Sequence, residues 1–175
     1  MKFVEGCDFN EFSKYLAKLR QYTREGELDQ LKRNLESGLF HLIVFRENDK
    51  IIGHAIWHET TTREHRKGLP RDKIDRQILE GLMGKDKSFV ELHELWLMTR
   101  HRGKGYGKQF FNYFEPYMRN KGYDEIVYYA FDPAAVRLCR KRGYKEAYGV
   151  KEAGPYGKYE TDYVFYLKLN ASVKA

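Results

Sequence analysis

Seven residues, Arg102-Gly103-Lys104-Gly105-Tyr106-Gly107-Lys108, constrain this chain more than any other stretch. Before them, residues 89–99 (FVELHELWLMT) read as a largely buried strand; after them, residues 109–119 carry aromatic side chains at helical spacing. A strand, a glycine loop and a helix in that order gather free backbone N–H groups at one point, with the positive end of the helix dipole behind them. The glycines let the backbone turn sharply and approach a ligand with no Cβ in the way. Arg102, Lys104 and Lys108 add full positive charges. The guest such a loop suits is a phosphate or a pyrophosphate.

Spacing narrows the guest further. A nucleotide P-loop needs G-x-x-x-x-G-K-[ST], but Gly103 leads to Lys108 at the wrong interval and Gln109 stands where a hydroxyl should hold magnesium. A dinucleotide fingerprint needs G-x-G-x-x-G at the first strand, whereas this run is G-x-G-x-G and arrives past mid-chain. What the loop does satisfy is R-x-x-G-x-G, with Arg102, Gly105 and Gly107.

Periodicity lays out the remainder. A short strand over 2–5 precedes an amphipathic helix over 8–22, with Phe9, Phe12, Tyr15, Leu16 and Leu19 inward and Asp8 as its cap. A second helix is expected over 27–37 (Leu28, Leu31, Leu35), closed by Gly38. Strands over 40–46 and 51–58 meet at the turn Glu47-Asn48-Asp49-Lys50. Residues 60–87 form a polar insert carrying a helix over 72–83, either a helical cover or a substrate-shaping element. The helix after the glycine loop contains Pro116, which should bend or shorten it. A strand over 124–131 follows. Asp132-Pro133-Ala134-Ala135 then has an Asp cap and Pro at the first helical position, a strong start for a helix to Arg142. Two strands over 144–150 and 161–169 close the chain around a loop containing Gly154-Pro155-Tyr156-Gly157. The order is β-α-α-β-β-insert-β-α-β-α-β-β, a mixed α/β layout.

The chain has 175 residues, 42% of them hydrophobic and 15% aromatic, which fits one globular domain with a real core. No run approaches the roughly 20 apolar residues of a membrane span, and the N-terminus lacks the apolar region of a secretory signal. Cys7 and Cys139 are far apart without C-x-x-C spacing, so neither a disulfide framework nor a zinc site is indicated and a cytoplasmic location is expected. Histidines 54, 58, 65 and 101 form no recognisable ligand set, and no metal is expected. The net charge of +7 raises nucleic acid as a rival partner. The basic residues are spread along the chain among 25 acidic ones, however, which favours a solvated basic surface.

The R-x-x-G-x-G loop resembles the acyl-CoA pyrophosphate loop of the GCN5-related N-acetyltransferases. A second segment, Asp132-x-x-Ala135-x-x-Leu138-Cys139-x-Lys141-x-Gly143-Tyr144, is similar to that family's N-x-x-A-x-x-L-Y-x-K-x-G-F stretch. The motif resemblance covers residues 88–145 and rests on element order elsewhere. It implies a single-domain fold with a mostly antiparallel central sheet flanked by helices, and acetyl-CoA as co-substrate. The implied reaction is acetyl transfer to a primary amine of a small molecule or peptide by direct attack. By the same resemblance, Arg102, Gly103, Lys104, Gly105, Tyr106, Gly107 and Lys108 take the pyrophosphate, Leu95 and Leu97 lie along the pantetheine, and the Leu97 N–H faces the acyl carbonyl. The acceptor side falls to the parts the resemblance covers least: the first two helices, the insert and the loop near Tyr156.

Direct transfer needs a base for the acceptor ammonium and a route for the proton to the departing thiolate. Glu91 and Glu94 are the nearest carboxylates on the fourth strand, and their odd separation puts them on opposite faces. The resemblance makes either one the base, with a lean to Glu94; His93 shares the face of Glu91. Cys139 stands where the family often has a tyrosine acid; it is a candidate proton donor or a small buried hydrophobe. Tyr129, Tyr148 and Tyr156 are the alternative donors. Asp132 replaces the usual asparagine, which leaves its pantetheine contact open and its capping role sufficient. Two other readings stand beside transfer: an acyl-CoA-binding module without catalysis, and a basic nucleic-acid-binding protein. Pairing through the C-terminal strands leaves room for a homodimer.

Overall fold

The computed structural model describes residues 1–69, 71–153 and 159–169. Its elements are β1 (Lys2–Glu5), α1 (Phe9–Leu19), α2 (Glu27–Glu36), β2 (His41–Glu47), β3 (Lys50–Thr61) and α3 (Asp72–Met83). They continue with β4 (Ser88–Leu97), α4 (Tyr106–Asn120), β5 (Glu125–Ala130), α5 (Pro133–Lys141), β6 (Lys145–Ala153) and β7 (Tyr159–Lys168). The strands follow the order β1-β2-β3-β4-β5-β7-β6, and the pairs β1–β2, β2–β3, β5–β7 and β6–β7 are antiparallel. The fold is therefore the mixed α/β layout of the element order, with the mostly antiparallel sheet that the family resemblance implies. By contacts the chain divides into two compact units: Met1–His58 with Leu92–Phe110, and Glu59–Glu91 with Phe111–Ala175. Pro70 and the loop Gly154-Pro155-Tyr156-Gly157, with its candidate acid Tyr156, lie outside the described residues.

In the first unit, the Asp8 side chain accepts the Glu11 N–H at 3.0 Å and starts α1. The periodicity extends to residue 22, but the helix stops at Leu19. Arg20 turns left-handed (φ 56°), its N–H closing on the Ala17 carbonyl, and Tyr22 is left-handed as well. Phe12, Tyr15 and Leu16 of α1 and Leu31 of α2 are buried with Leu42, Val44, Ile51 and Ile56 of β2 and β3. Each such side chain contributes about 1.5–3 kcal/mol by leaving water. The β2–β3 hairpin closes through Asn48 (φ 49°) and Asp49 (φ 58°), two residue types that tolerate the left-handed turn its two-residue loop requires. Gly53 of β3 is obligatory for a different reason. A Cβ there would lie 2.6 Å from the Trp96 carbonyl oxygen and 2.7 Å from the Phe45 ring.

In the second unit, the insert is stitched at both ends by one buried threonine. Thr62 N–H donates to the Lys87 carbonyl (2.9 Å), its hydroxyl donates to the Gly84 carbonyl (3.0 Å), and the Lys87 N–H returns to that hydroxyl (3.1 Å). Leu79 of α3 packs with Phe89, Val127 and Val164. α4 is not shortened at Pro116. Phe111, Phe114 and Met118 around it are fully buried, and together they outweigh the roughly 3 kcal/mol that an interior proline costs. Asp132 caps α5 as the sequence indicates, accepting from Ala134 N–H (2.8 Å) and Ala135 N–H (3.3 Å). Beyond α5, the Arg142 guanidinium forks onto the Glu115 carboxylate with two 2.7 Å bonds. The Tyr144 hydroxyl donates to the same carboxylate at 3.1 Å.

Candidate active site

β4 changes character along its length. Phe89, Val90, Glu91 and Leu92 are buried, whereas Glu94, Leu95, Trp96 and Leu97 are all partly exposed. A short 3₁₀ turn (Thr99–His101) follows, and the glycine loop then enters α4 at Tyr106. Gly103 (φ 77°) and Gly105 (φ 78°) both adopt the left-handed conformation, and a Cβ built on either would meet nothing within 4 Å. The surface there is open, and residues 102–105 and Lys108 are exposed. α4 takes up its hydrogen bonds with Gln109 N–H to the Gly105 carbonyl (3.1 Å). N–H groups in a helix's first turn lack intrahelical acceptors, which suits them to an anionic group. Arg102 Nε donates to the Leu97 carbonyl at 3.1 Å, tying the loop back to the end of the strand.

A brace that the sequence motifs did not reveal holds this loop. Glu47, at the end of β2, accepts the Tyr106 hydroxyl at 2.5 Å and lies 3.3 Å from His101 Nδ1. Arg100 Nε donates to His101 Nε2 (3.0 Å), which assigns the imidazole proton to Nδ1, facing the carboxylate. The Tyr106 hydrogen bond holds the Glu47 carboxyl below the usual glutamate range. Met98 N–H donates to the Ile52 carbonyl at 2.9 Å, fixing the strand end to β3.

Glu94 is held at both carboxylate oxygens. Its Oε2 lies 3.0 Å from His54 Nε2, and Oε1 accepts the Tyr22 hydroxyl. His54 is fully buried on β3, and its Nδ1 lies 3.2 Å from the Tyr15 hydroxyl. The Glu94 side chain itself keeps 18% exposure. Burial pushes its proton affinity up, but the His54 and Tyr22 hydrogen bonds and the neighbouring His54 and His93 pull it down further. The carboxyl therefore stays below its ordinary range and is ionised at neutral pH. Tyr15, Tyr22 and His54 carried no motif. Tyr15 sits at a core-facing helical position, and Tyr22 is brought back only by the unpredicted left-handed turn.

The second unit holds the remaining candidates. Glu91 is 6% exposed by side chain, with Oε2 3.3 Å from Nδ1 of the buried His65. His65 Nε2 meets the Tyr129 hydroxyl at 2.6 Å, and that hydroxyl lies 3.4 Å from the one on Tyr148. Burial raises both phenols well above the usual tyrosine value. Cys139 is fully buried in α5, and burial pushes its thiol up to about 12. A donor that weak would protonate a thiolate of ordinary affinity, about 8.5, only uphill. Asp132 is occupied as the α5 cap.

Among the described residues no helix is long and apolar enough to cross a membrane. A search of curated proteins found no match. Solved structures share the fold at low identity. The chain is similar to Arabidopsis thaliana NAA60 in complex with a bisubstrate analogue (TM-score 0.68, 14% identity, 98% of this chain and 100% of that one). It is also similar to Drosophila melanogaster polyamine N-acetyltransferase, described as catalysing formation of N-acetylagmatine (TM-score 0.64, 14% identity, 96% and 100%). A third is yncA of Salmonella typhimurium, a putative acetyltransferase solved with acetyl-CoA (TM-score 0.63, 14% identity, 100% and 98%). The model of the acetyltransferase (GNAT) family matches residues 9–144, from the first helix to the end of the second motif. With the family model spanning most of its length, the chain belongs to the acetyltransferase (GNAT) family.

Proposed function

We propose that this N-acetyltransferase moves the acetyl group of acetyl-CoA to a primary amine of a small molecule or peptide by direct attack, with Glu94 as the base. The observation that carries the reading is a part-exposed, ionised carboxylate three residues before the end of the strand that feeds the open glycine loop. In this reading residues 102–108 receive the pyrophosphate, and Leu95 and Leu97 flank the pantetheine. The Leu97 N–H polarises the acetyl carbonyl as negative charge develops on its oxygen. The acceptor enters as an ammonium, and Glu94 takes its proton directly or through one water. The freed lone pair then attacks the carbonyl carbon, and the thiolate leaves with CoA.

Of the three catalytic candidates, Glu94 is preferred to Glu91 because it is accessible, and Cys139 is read as packing. A thiolate proton from water or a tyrosine replaces the thiol route. A cationic acceptor agrees with an anionic carboxylate at the site, and a related fold is described as acting on polyamines. A cytoplasmic protein with two free thiols completes the reading.

The test is release of the CoA thiol from acetyl-CoA over a panel of polyamines, amino acids, aminoglycosides and peptide N-termini. Acetyl-CoA-dependent release with at least one amine class is expected. Binding of acetyl-CoA without release would make the chain a CoA-binding module. Salt-sensitive binding to RNA or DNA with no response to CoA would make it a nucleic-acid protein.

A further inference from the structure

The side chains behind Glu94 are arranged in one direction. An ionised carboxylate only accepts, so the proton between His54 and Glu94 belongs to His54 Nε2. In the neutral imidazole the other nitrogen, Nδ1, carries the lone pair and accepts the Tyr15 hydroxyl. Tyr15 and His54 are 4% and 0% exposed, and the Phe12 and Tyr15 rings stand edge-on to the imidazole at 5.3 and 5.5 Å. The imidazole is thus fixed in place, with Nε2–H toward Glu94. On the other oxygen, Tyr22 donates from a left-handed backbone (φ 54°), two residues after left-handed Arg20. Non-glycine residues in this conformation cost about 1–2 kcal/mol each, and such strain concentrates where a side chain has a task. Both phenols are raised by burial and by Glu94 nearby, so they remain donors across the neutral range.

We propose that Tyr15 and His54 are positioning residues for acetyl transfer, a buried donor relay that fixes the orientation of the Glu94 carboxylate toward the acceptor amine. The proposal rests on the reading of Glu94 as base. A carboxylate has about four lone-pair sites, so two donors leave room for the incoming ammonium. When Glu94 takes the proton, one N–H bond of the ammonium breaks and one O–H bond forms on the carboxylate. The His54 hydrogen bond disfavours that protonated form, so the proton passes on to water and the base is restored.

The groups facing Glu94 are His54 from β3, Tyr22 from the turn after α1, and neighbouring His93. Deleting a donor raises the carboxylate's proton affinity, so the acid limb of kcat/KM for the amine must move to higher pH. In His54→Gln the limb is expected to move up by about one unit. At neutral pH kcat should fall about tenfold, while KM for acetyl-CoA changes by less than about twofold. Tyr15→Phe keeps the ring and its packing and removes only the hydroxyl. It should move the limb in the same direction by less. If His54→Gln fails to fold, Tyr15→Phe decides alone. An acid limb unmoved in the folded variants overturns the proposal, because loss of packing would lower activity without shifting the profile. Glu94→Gln separates the two levels. Wild-type turnover in that variant removes the base reading itself, whereas lost turnover with an unmoved limb in Tyr15→Phe removes only the relay.

Discussion

Two carboxylate–histidine pairs sit on one strand, and they differ in the one respect that decides use. Glu94 with His54 and Glu91 with His65 both join a β4 glutamate to a fully buried imidazole, at 3.0 and 3.3 Å. Glu94 keeps 18% of its side chain in contact with solvent, Glu91 only 6%. Glu94 begins the part-exposed end of β4, while Glu91 lies within the buried stretch from Phe89 to Leu92. A carboxylate that must meet a substrate needs access as well as an ionised form. One sealed among His65, Tyr129 and Tyr148 is better placed to specify packing, since a satisfied buried polar network favours a single arrangement and an incomplete one is costly. The same pair of residue types thus supports opposite assignments, and burial rather than chemistry separates them.

The sharpest way to break this contrast is to neutralise each carboxylate. Glu94→Gln should lower kcat by about 10²–10⁴-fold, the usual worth of a positioned base. Glu91→Gln should leave kcat within about threefold and instead cost about 1–3 kcal/mol of stability by unsettling the buried His65 beside it. Equal kinetic losses in the two variants would erase the distinction. A smaller effect is expected at the loop. Gly105→Ala puts a side chain on a left-handed residue in an open surface, and a cost of about 1 kcal/mol should weaken acetyl-CoA binding about fivefold in a calorimetric titration. An unchanged affinity would remove Gly105 from the donor site.

In the second unit the Arg142 fork is structural on this account. Arg142→Met should lower the melting temperature by about 2–8 °C, from about 1–2 kcal/mol, with kcat unaltered. The smallest effect belongs to Cys139→Ala. Its kinetics and their pH dependence should match those of the parent, because a thiol pushed up to about 12 is a poor acid. A lost basic limb in that variant would return the thiol to the mechanism.

Much of the fold was legible because local signals agreed with packing. The α3 bounds follow from the apolar spacing that includes the buried Leu79 and from Gly84 at its end, and Asp132-Pro133 starts α5 as a cap and first-turn proline should. The glycine loop was legible for the same reason, since a left-handed position next to a helix start is written in residue type. What periodicity missed were contacts made across long separations. Tyr22 and Glu94 are 72 residues apart and Tyr106 and Glu47 are 59 apart, and no spacing rule links them. Tyr15 read as one more core aromatic because its ring does pack, while its hydroxyl does something else. Pro116 does not end its helix, because its local penalty is overridden by the apolar burial around it.

On the proposed mechanism, donor binding and proton removal are separate tasks within the first unit, one for the loop and one for Glu94. The most direct measurement is a calorimetric titration of acetyl-CoA into Glu94→Gln beside the parent, using the preparation whose turnover is assayed. A dissociation constant within about twofold of the parent, less than 0.5 kcal/mol, is expected in a protein whose turnover is largely gone. A dissociation constant that rises in step with the loss of turnover would contradict it, because Glu94 would then be serving the donor and not the amine.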